Sequence, residues 1–326
     1  MRMAANTLRC AFCLVVFASA VLPTGCDQPG GGAEAVDVRT AVYPVDGETM
    51  LVIESDRGTV EIRGETDRVE IEVTATIRAR GTSLEQARER LAELDLAETR
   101  TDGALYLGFD VPKEGTAWRA STDVIILVPI QVSLDVIGDN VDVTVDNVTG
   151  TIRIDSERGR VEGRRLAGVI HVATATPLAE SGSVVLSELS GAVTVETETG
   201  GLTIHSISGA LDAATESGDI VVRGADLYRF AVGSKTGDVD FSGRLGGDGA
   251  AHEVRTNRGD IHLRIPLDSR LWIEAEVSTG GSITSSLPLF GDTEGKQWSA
   301  TLNAPDVTLR LETEDGQILV GRLHET

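Results

Sequence analysis

The feature that most constrains this chain is a glycine that returns at one place in a short repeated window. Nine eight-residue windows align with glycine at the fourth position: SDRGTVEI (55–62), SERGRVEG (156–163), AESGSVVL (179–186), TETGGLTI (197–204), TESGDIVV (215–222), SKTGDVDF (234–241), TNRGDIHL (256–263), VSTGGSIT (277–284) and TEDGQILV (313–320). Each opens on small or polar residues and passes through the glycine into a run rich in Val and Ile. Glycine in a fixed slot supplies a turn, through positive φ or close backbone approach, and the β-branched run after it starts a strand.

The glycines of this series from the second window on are Gly159, Gly182, Gly200, Gly218, Gly237, Gly259, Gly280 and Gly316, spaced by 23, 18, 18, 19, 22, 21 and 36 residues. A period near twenty is that of a solenoid. A second series, Gly150, Gly168, Gly191 and Gly209, falls between them, so each repeat holds two strand-turn units of about nine residues. Neither unit can bury an apolar face alone, and stacking successive coils at roughly 4.8 Å per rung would bury Val, Ile and Leu inside. An antiparallel sandwich would call for repeated two-residue Asn-Gly or Asp-Gly hairpins, and only Asp46-Gly47, Asp102-Gly103, Asp248-Gly249 and Asp315-Gly316 occur. The expected fold class is therefore all-β, a β-solenoid of short glycine-punctuated strands.

The first third departs from the repeat. Strands are expected near 49–54, 58–63 and 68–78, followed by a helix over 83–98, SLEQARERLAELDLAE. Ser83 and Gln86 form a capping box, and Leu84, Ala87, Leu91 and Leu94 share one face. This helix is expected to cap the solenoid and shield an open edge. The run DVIILVPIQV (123–132) is apolar enough to predict burial on both sides.

In VPIQVSLDVIGDNVDV (128–143) and IPLDSRLWIEAEVSTGGSI (265–283), Pro129 and Pro266 each precede a leucine, Leu134 and Leu271, by five positions. With the repeated SGDI and TGDV elements, the chain resembles over roughly 50–320 the bacterial "putative adhesin" family of envelope proteins. The resemblance implies an extended β-helical domain on an exported, often lipid-anchored protein with no established reaction. It brings no catalytic residues.

At the amino terminus, Arg2 and Arg9 precede an apolar stretch from Ala11 to Leu22, which reads as a secretory signal over 1–25. Twelve apolar residues are short of the ~20 that a membrane-spanning helix needs. Thr24-Gly25 before Cys26 resembles a lipoprotein signal, which would cleave before Cys26, acylate its thiol and hold the protein to a membrane. Pro23, where that signal prefers leucine, departs from the pattern. Residues 26–40 would then be the lipidated cysteine and a flexible tether, 41–122 N-terminal strands with the helix, and 123–326 the solenoid repeats. Cys10 and Cys13 lie in the signal, so no disulfide framework is expected downstream.

Charge narrows the partners. Net charge is −22 and only Lys113, Lys235 and Lys296 are lysines, which argues against nucleic acid. Arg258-Gly259-Asp260 looks like an adhesive tripeptide, yet Gly259-Asp260 fills the slots of Gly218-Asp219 and Gly237-Asp238, so the repeat already explains it. Asp219, Asp238 and Asp260 are expected to stack as a carboxylate column, either solvated or bridged by calcium. His171, His205, His252, His262 and His324 form no metal or hydrolase signature, and RLGGDGAAH (244–252) reads as a protruding loop. No catalytic residue, cofactor or metal is assigned. Trp118, Trp272 and Trp298 are the candidates for partner contact, Trp272 alternating against Leu271 and Ile273 and expected to pack beneath a second layer rather than stand exposed.

The expectation is a non-enzymatic, lipid-anchored envelope protein whose repetitive faces bind protein or glycan partners. A polysaccharide-active β-helix enzyme and an envelope-stress accessory protein are the alternatives.

Overall fold

The structure, a computed structural model, describes residues 32–45, 50–94, 96–101, 103–109, 120–175 and 183–323. Cys26, Trp118, Gly182, His324 and the signal stretch lie outside the described residues.

The chain opens with β1 (Ala33–Pro44), β2 (Met50–Glu65), β3 (Glu70–Gly81), α1 (Leu84–Ala92), β4 (Ala97–Thr101), β5 (Ala104–Phe109) and β6 (Ala120–Pro129). Long strands follow: β7 (Ser133–Arg158), β8 (Val161–Thr174), β9 (Val184–Thr199), β10 (Leu202–Ser217) and β11 (Ile220–Thr236). Each pairs in parallel with the next, Val161 on Val184 on Leu202 on Ile220. The parallel stacking of near-identical coils makes this an all-β solenoid. β12 (Val239–Leu245) and β13 (Ala251–Arg258) continue the two halves of β11.

Both glycine series are in register. Gly150, Gly168, Gly191 and Gly209 stack directly on one another. In the other series, a Cβ placed on Gly218, Gly237, Gly259 or Gly316 would lie within 2.2 Å of the glycine carbonyl one rung away. Backbone meets backbone at this corner with no room for a side chain. At the opposite corner five rungs bend at a left-handed residue, Asn147, Arg165, Glu188, Ser206 and Gly224 in consecutive coils.

Inside, alternation delivers one apolar side chain every second residue. Val161, Val184, Leu202 and Ile220 are fully buried in one stack, and Ile170 and Val172 in the facing wall. A single cluster runs from Ala41 to Val320. Each such Val, Ile or Leu contributes about 1.5–3 kcal/mol of gross burial.

The chain does not fill its rungs in sequence order. After β14 (Ile261–Ile265), β15 (Leu271–Gly280) and β16 (Ile283–Ser285) leave one rung open, and β17 (Phe290–Asp292) and β18 (Gln297–Leu302) add antiparallel beyond β15. β19 (Val307–Asp315) and β20 (Ile318–Arg322) then return into the gap: β19 lies between β13 and β15, β20 between β14 and β16. The other end repeats the device, with β2 held between β7 on one side and β5 and β6 on the other. Antiparallel β1 and β3 extend from β6, and β4 from β5.

Several expectations are corrected. β2, within the segment 41–122, pairs in parallel with β7 as a rung of the solenoid, and its Leu51, Val60 and Ile62 belong to the common core. The tether expected to run to residue 40 meets strand β1 at Ala33, whose alternating residues pair with β3. The helix stops at Ala92, since Ala97–Thr101 pairs with β5 instead. Ser83 caps it, accepting the Gln86 N–H at 3.2 Å, while Leu84 is left exposed and Ala87, Leu91 and Leu94 pack with Ile77 and Ala79 of β3. Residues 123–132 bury one face only: Val124, Ile126 and Val128 point inward and Ile125 is 42% exposed. Its outer face is exposed because no second layer covers that wall among the described residues.

Candidate functional site

Three features on this frame could carry function: the glycine-aspartate corner, a trough beside it, and the far end of the solenoid.

At the corner, aspartates do stack, and each has a structural task. Asp219 Oδ1 accepts the backbone N–H of Asp238 at 2.9 Å, Asp238 Oδ1 that of Asp260 at 2.8 Å, and Asp260 Oδ1 that of Gln317 at 2.7 Å. Asp142 does the same for Arg160 at 2.8 Å. A carboxylate bound to an amide has part of its charge compensated, so neighbouring rungs tolerate the column. Arg258-Gly259-Asp260 is one copy of this turn, its Asp260 carboxylate engaged in the ladder. The expected slot of Gly280 is occupied by Gly281 instead: φ there is +86° and a Cβ would meet the Gly316 carbonyl, because the register of β15 on β19 shifts after Val277.

Just inside the corner runs a column of buried hydroxyls, Ser156, Thr174, Thr197, Thr215, Ser234, Thr256 and Thr313, each stacked on the next. Ser234, Thr256 and Thr313 donate to the carbonyls of Gly218, Gly237 and Gly259 at 3.2, 3.0 and 3.1 Å. The hydroxyl three residues before one glycine thus ties down the glycine of a neighbouring rung. The windows showed Ser or Thr there, but not the partner.

Outside that column lies a trough of about 1010 Å³, extending from Glu54 to Asn257. Residues flanking Ser55 and the hydroxyls from Ser156 to Thr256 line it: Glu54 and Asp56 about Ser55, Asp155 and Glu157 about Ser156, Glu196 and Glu198 about Thr197. Its basic residues are Lys235, paired with Glu216, and Arg255, paired with Glu253 at 2.6 Å and Glu312 at 3.3 Å. Nearby, Arg153 holds Asp155 at 2.7 Å and approaches Asp135 at 4.0 Å. Burial raises the Asp135 pKa, with Arg153 opposing and Asp155 reinforcing the shift. Among the described residues no three acids, imidazoles or thiols gather as a metal-binding set. The trough is an acidic face, suited to repelling anions.

His252 is buried inside the coil. Its Nε2–H donates to the Gly246 carbonyl at 3.0 Å, Nδ1 has no partner, and burial lowers its pKa below the usual histidine value. His171, His205 and His262 stand apart on separate rungs.

The far end presents the tryptophans. Trp272 is 40% exposed on the outer face of β15, its Nε1–H donating to Glu274 at 3.3 Å, and no second layer of described residues packs over it as expected. Trp298 faces the other way and packs against the core, its Nε1 unpartnered. Phe290, which sequence reasoning passed over, is 73% exposed. Nothing in its surroundings, LPLFGDT, distinguishes an exposed phenylalanine from a core one.

Among the described residues no helix is long and apolar enough to cross a membrane. The sequence profile of the family described as "Toastrack DUF4097" matches residues 49–321. No curated protein matches the chain. Among solved structures, one described as a "putative adhesin" from Bacteroides fragilis NCTC 9343 is 14% identical with a TM-score of 0.34, the similarity covering 88% of this chain and 97% of that one. One described as a "putative lipid binding protein" from Parabacteroides distasonis ATCC 8503 is 11% identical with a TM-score of 0.37, over 86% and 96%. A cell adhesion protein, likewise so described, from Clostridium sporogenes ATCC 15579 is 11% identical with a TM-score of 0.25, over 90% and 100%.

Proposed function

The chain belongs to the Toastrack DUF4097 family, and from that premise we propose that it is a non-enzymatic protein of the cell envelope, anchored by lipid on Cys26, that offers its walls to protein or glycan partners. The observation that carries this reading is the continuous wall itself. From β4 and β5 through β2 and the successive coils to β19, β15, β18 and β17, hydrogen-bonded strands run unbroken from one end to the other. Thirteen steps of about 4.8 Å give a face roughly 60 Å long. Such a face suits contact with an extended partner, as in other solenoids. β1 begins at Ala33 at the end opposite β17, so an anchor on Cys26 leaves the β17 end outermost.

The test has two parts. Cys26→Ser should abolish incorporation of labelled palmitate and release the protein from pelleted membranes. Site-specific photo-cross-linkers on the outer faces of β15 and β18 in intact cells should capture a discrete protein or glycan adduct, whereas a wall with no partner gives none. Cleavage of uronic-acid polymers by the purified protein would favour the enzymatic alternative.

A further inference from the structure

At the end of the wall farthest from β1, three strands bring two exposed rings onto one face. Trp272 of β15 stands opposite Thr301 of β18, and Thr301 stands opposite Phe290 of β17. Residues paired directly across strands share a face, so Trp272 and Phe290 stand on one face of the sheet, two strand spacings or about 10 Å apart. The Nε1–H of Trp272 donates to Glu274 on the same side of the same strand, which ties the edge of the indole to the sheet while the residue stays 40% exposed. One register step along, Glu274, Ser299 and Asp292 stand abreast across the same three strands. Two exposed rings therefore lie beside a row of hydrogen-bonding side chains.

We propose that this face binds an extended, uncharged β-1,4-linked glycan. The proposal rests on the binding-surface reading above and specifies the ligand class. A pyranose with equatorial hydroxyls has an apolar C–H face, which packs on an aromatic ring, and a polar rim. In a β-1,4 chain each ring is turned over relative to its neighbour, so alternate rings present the same face. Two aromatic side chains separated by one intervening residue meet such alternate rings, with Thr301 beneath the ring between them. The carboxylates of Glu274 and Asp292 accept hydrogen bonds from sugar hydroxyls at the rim. Charge selects the class: with a net charge of −22 and two acids beside the rings, polyuronides are repelled. Arg310, on the adjacent rung, is already paired with Glu312 at 3.4 Å. A second copy meeting the first through this face would oppose like charges.

Full-length protein in detergent is titrated calorimetrically with cellohexaose, with chitohexaose and with a galacturonate hexamer. A neutral hexasaccharide binds and the galacturonate does not. Trp272→Ala and Phe290→Ala each weaken binding about tenfold, as expected for aromatic anchors, while Tyr228→Ala, an exposed ring on another strand, leaves it unchanged. Phe290 is nearly free of the core, so Phe290→Ala keeps the native melting temperature and remains decisive if Trp272→Ala unfolds. Absence of binding to both neutral hexasaccharides, equal binding by the variants, or preference for galacturonate overturns the proposal. If cross-linking in cells still captures a partner while neither neutral glycan binds, the ligand class is wrong and the binding-surface reading stands.

Discussion

The carboxylate of Asp238 accepts the backbone N–H of Asp260 from the neighbouring rung at 2.8 Å. The contact clamps two turns that would each leave an amide facing outward. Asp238→Ala removes the acceptor and should cost about 1–2 kcal/mol, read as a lower urea midpoint. Asp238→Asn keeps a carbonyl in reach and should lose less than half as much. Equal losses would mean that the column acts through charge alone.

The glycine corner makes a sharper prediction. A Cβ on Gly237, at φ +146°, would lie 2.1 Å from the Gly218 carbonyl, so Gly237→Ala must push two rungs apart. About 3 kcal/mol or more should be lost, and expression with it. Gly249, at φ +68° in the loop before β13, has nothing within 4 Å. Gly249→Ala should cost only about 1 kcal/mol, which calorimetric melting of the two variants would separate.

These turns were the legible part of the sequence because glycine at a fixed slot reports backbone geometry directly. The same information is missing where side chains other than glycine take the left-handed corner: Arg165, Glu188 and Ser206 share a slot and a positive φ but no chemistry. The 36-residue interval from Gly280 to Gly316 read as an irregularity. In the structure it is the detour through β16, β17 and β18 that precedes return into an open rung, and pairing between rungs out of sequence order leaves no periodic trace. For the same reason Trp272 could be placed on an outward face, while its relation to Phe290, carried by Thr301 between them, could not.

That return predicts how the end fails. β19 and β20 bring Val307, Leu309, Leu311, Ile318 and Val320 into the core, a gross burial of about 10 kcal/mol, and they separate β13 and β14 from β15 and β16. Ending the chain after Leu302 removes β19, the only parallel partner of β15 among the described residues, so residues 251–302 should become sensitive to protease. The coils from β7 to β11 keep their neighbours and should resist. Limited proteolysis read by mass spectrometry gives the boundary; uniform digestion would show that the solenoid unfolds as one unit.

His252 makes stability depend on pH in a direction fixed by its environment. Burial holds its folded pKa below 6.5, and its Nδ1 has no acceptor to receive a new N–H. The unfolded chain takes up that proton first, so the contribution of neutral His252 is complete above about pH 6.5 and is lost as pH falls toward the lowered folded value. Between pH 7.5 and 5.5 the stability of the native protein relative to His252→Leu should fall by up to about 1.4 kcal/mol. Referring the change to the variant cancels the relief of repulsion among the many carboxylates, which acts on both proteins. A difference that stays flat over that range would place a proton acceptor near Nδ1.

The hydroxyl column divides into two kinds, and valine tells them apart. Thr256 donates to Gly237 and Thr313 to Gly259, so Thr256→Val or Thr313→Val leaves a buried carbonyl without its donor and should cost about 1 kcal/mol. Thr197 and Thr215 are as deeply buried, yet their hydroxyls have no partner. At these positions a methyl group of the same size removes an uncompensated polar atom, so Thr197→Val and Thr215→Val should be neutral or stabilise by up to about 1 kcal/mol. Opposite signs in one column of stacked, near-isosteric substitutions separate hydrogen bonding from packing, because the neighbours above and below are almost the same. If all four substitutions destabilise alike, the column is held by packing shape, and the hydroxyl-to-glycine contacts contribute little to the stacking of rungs.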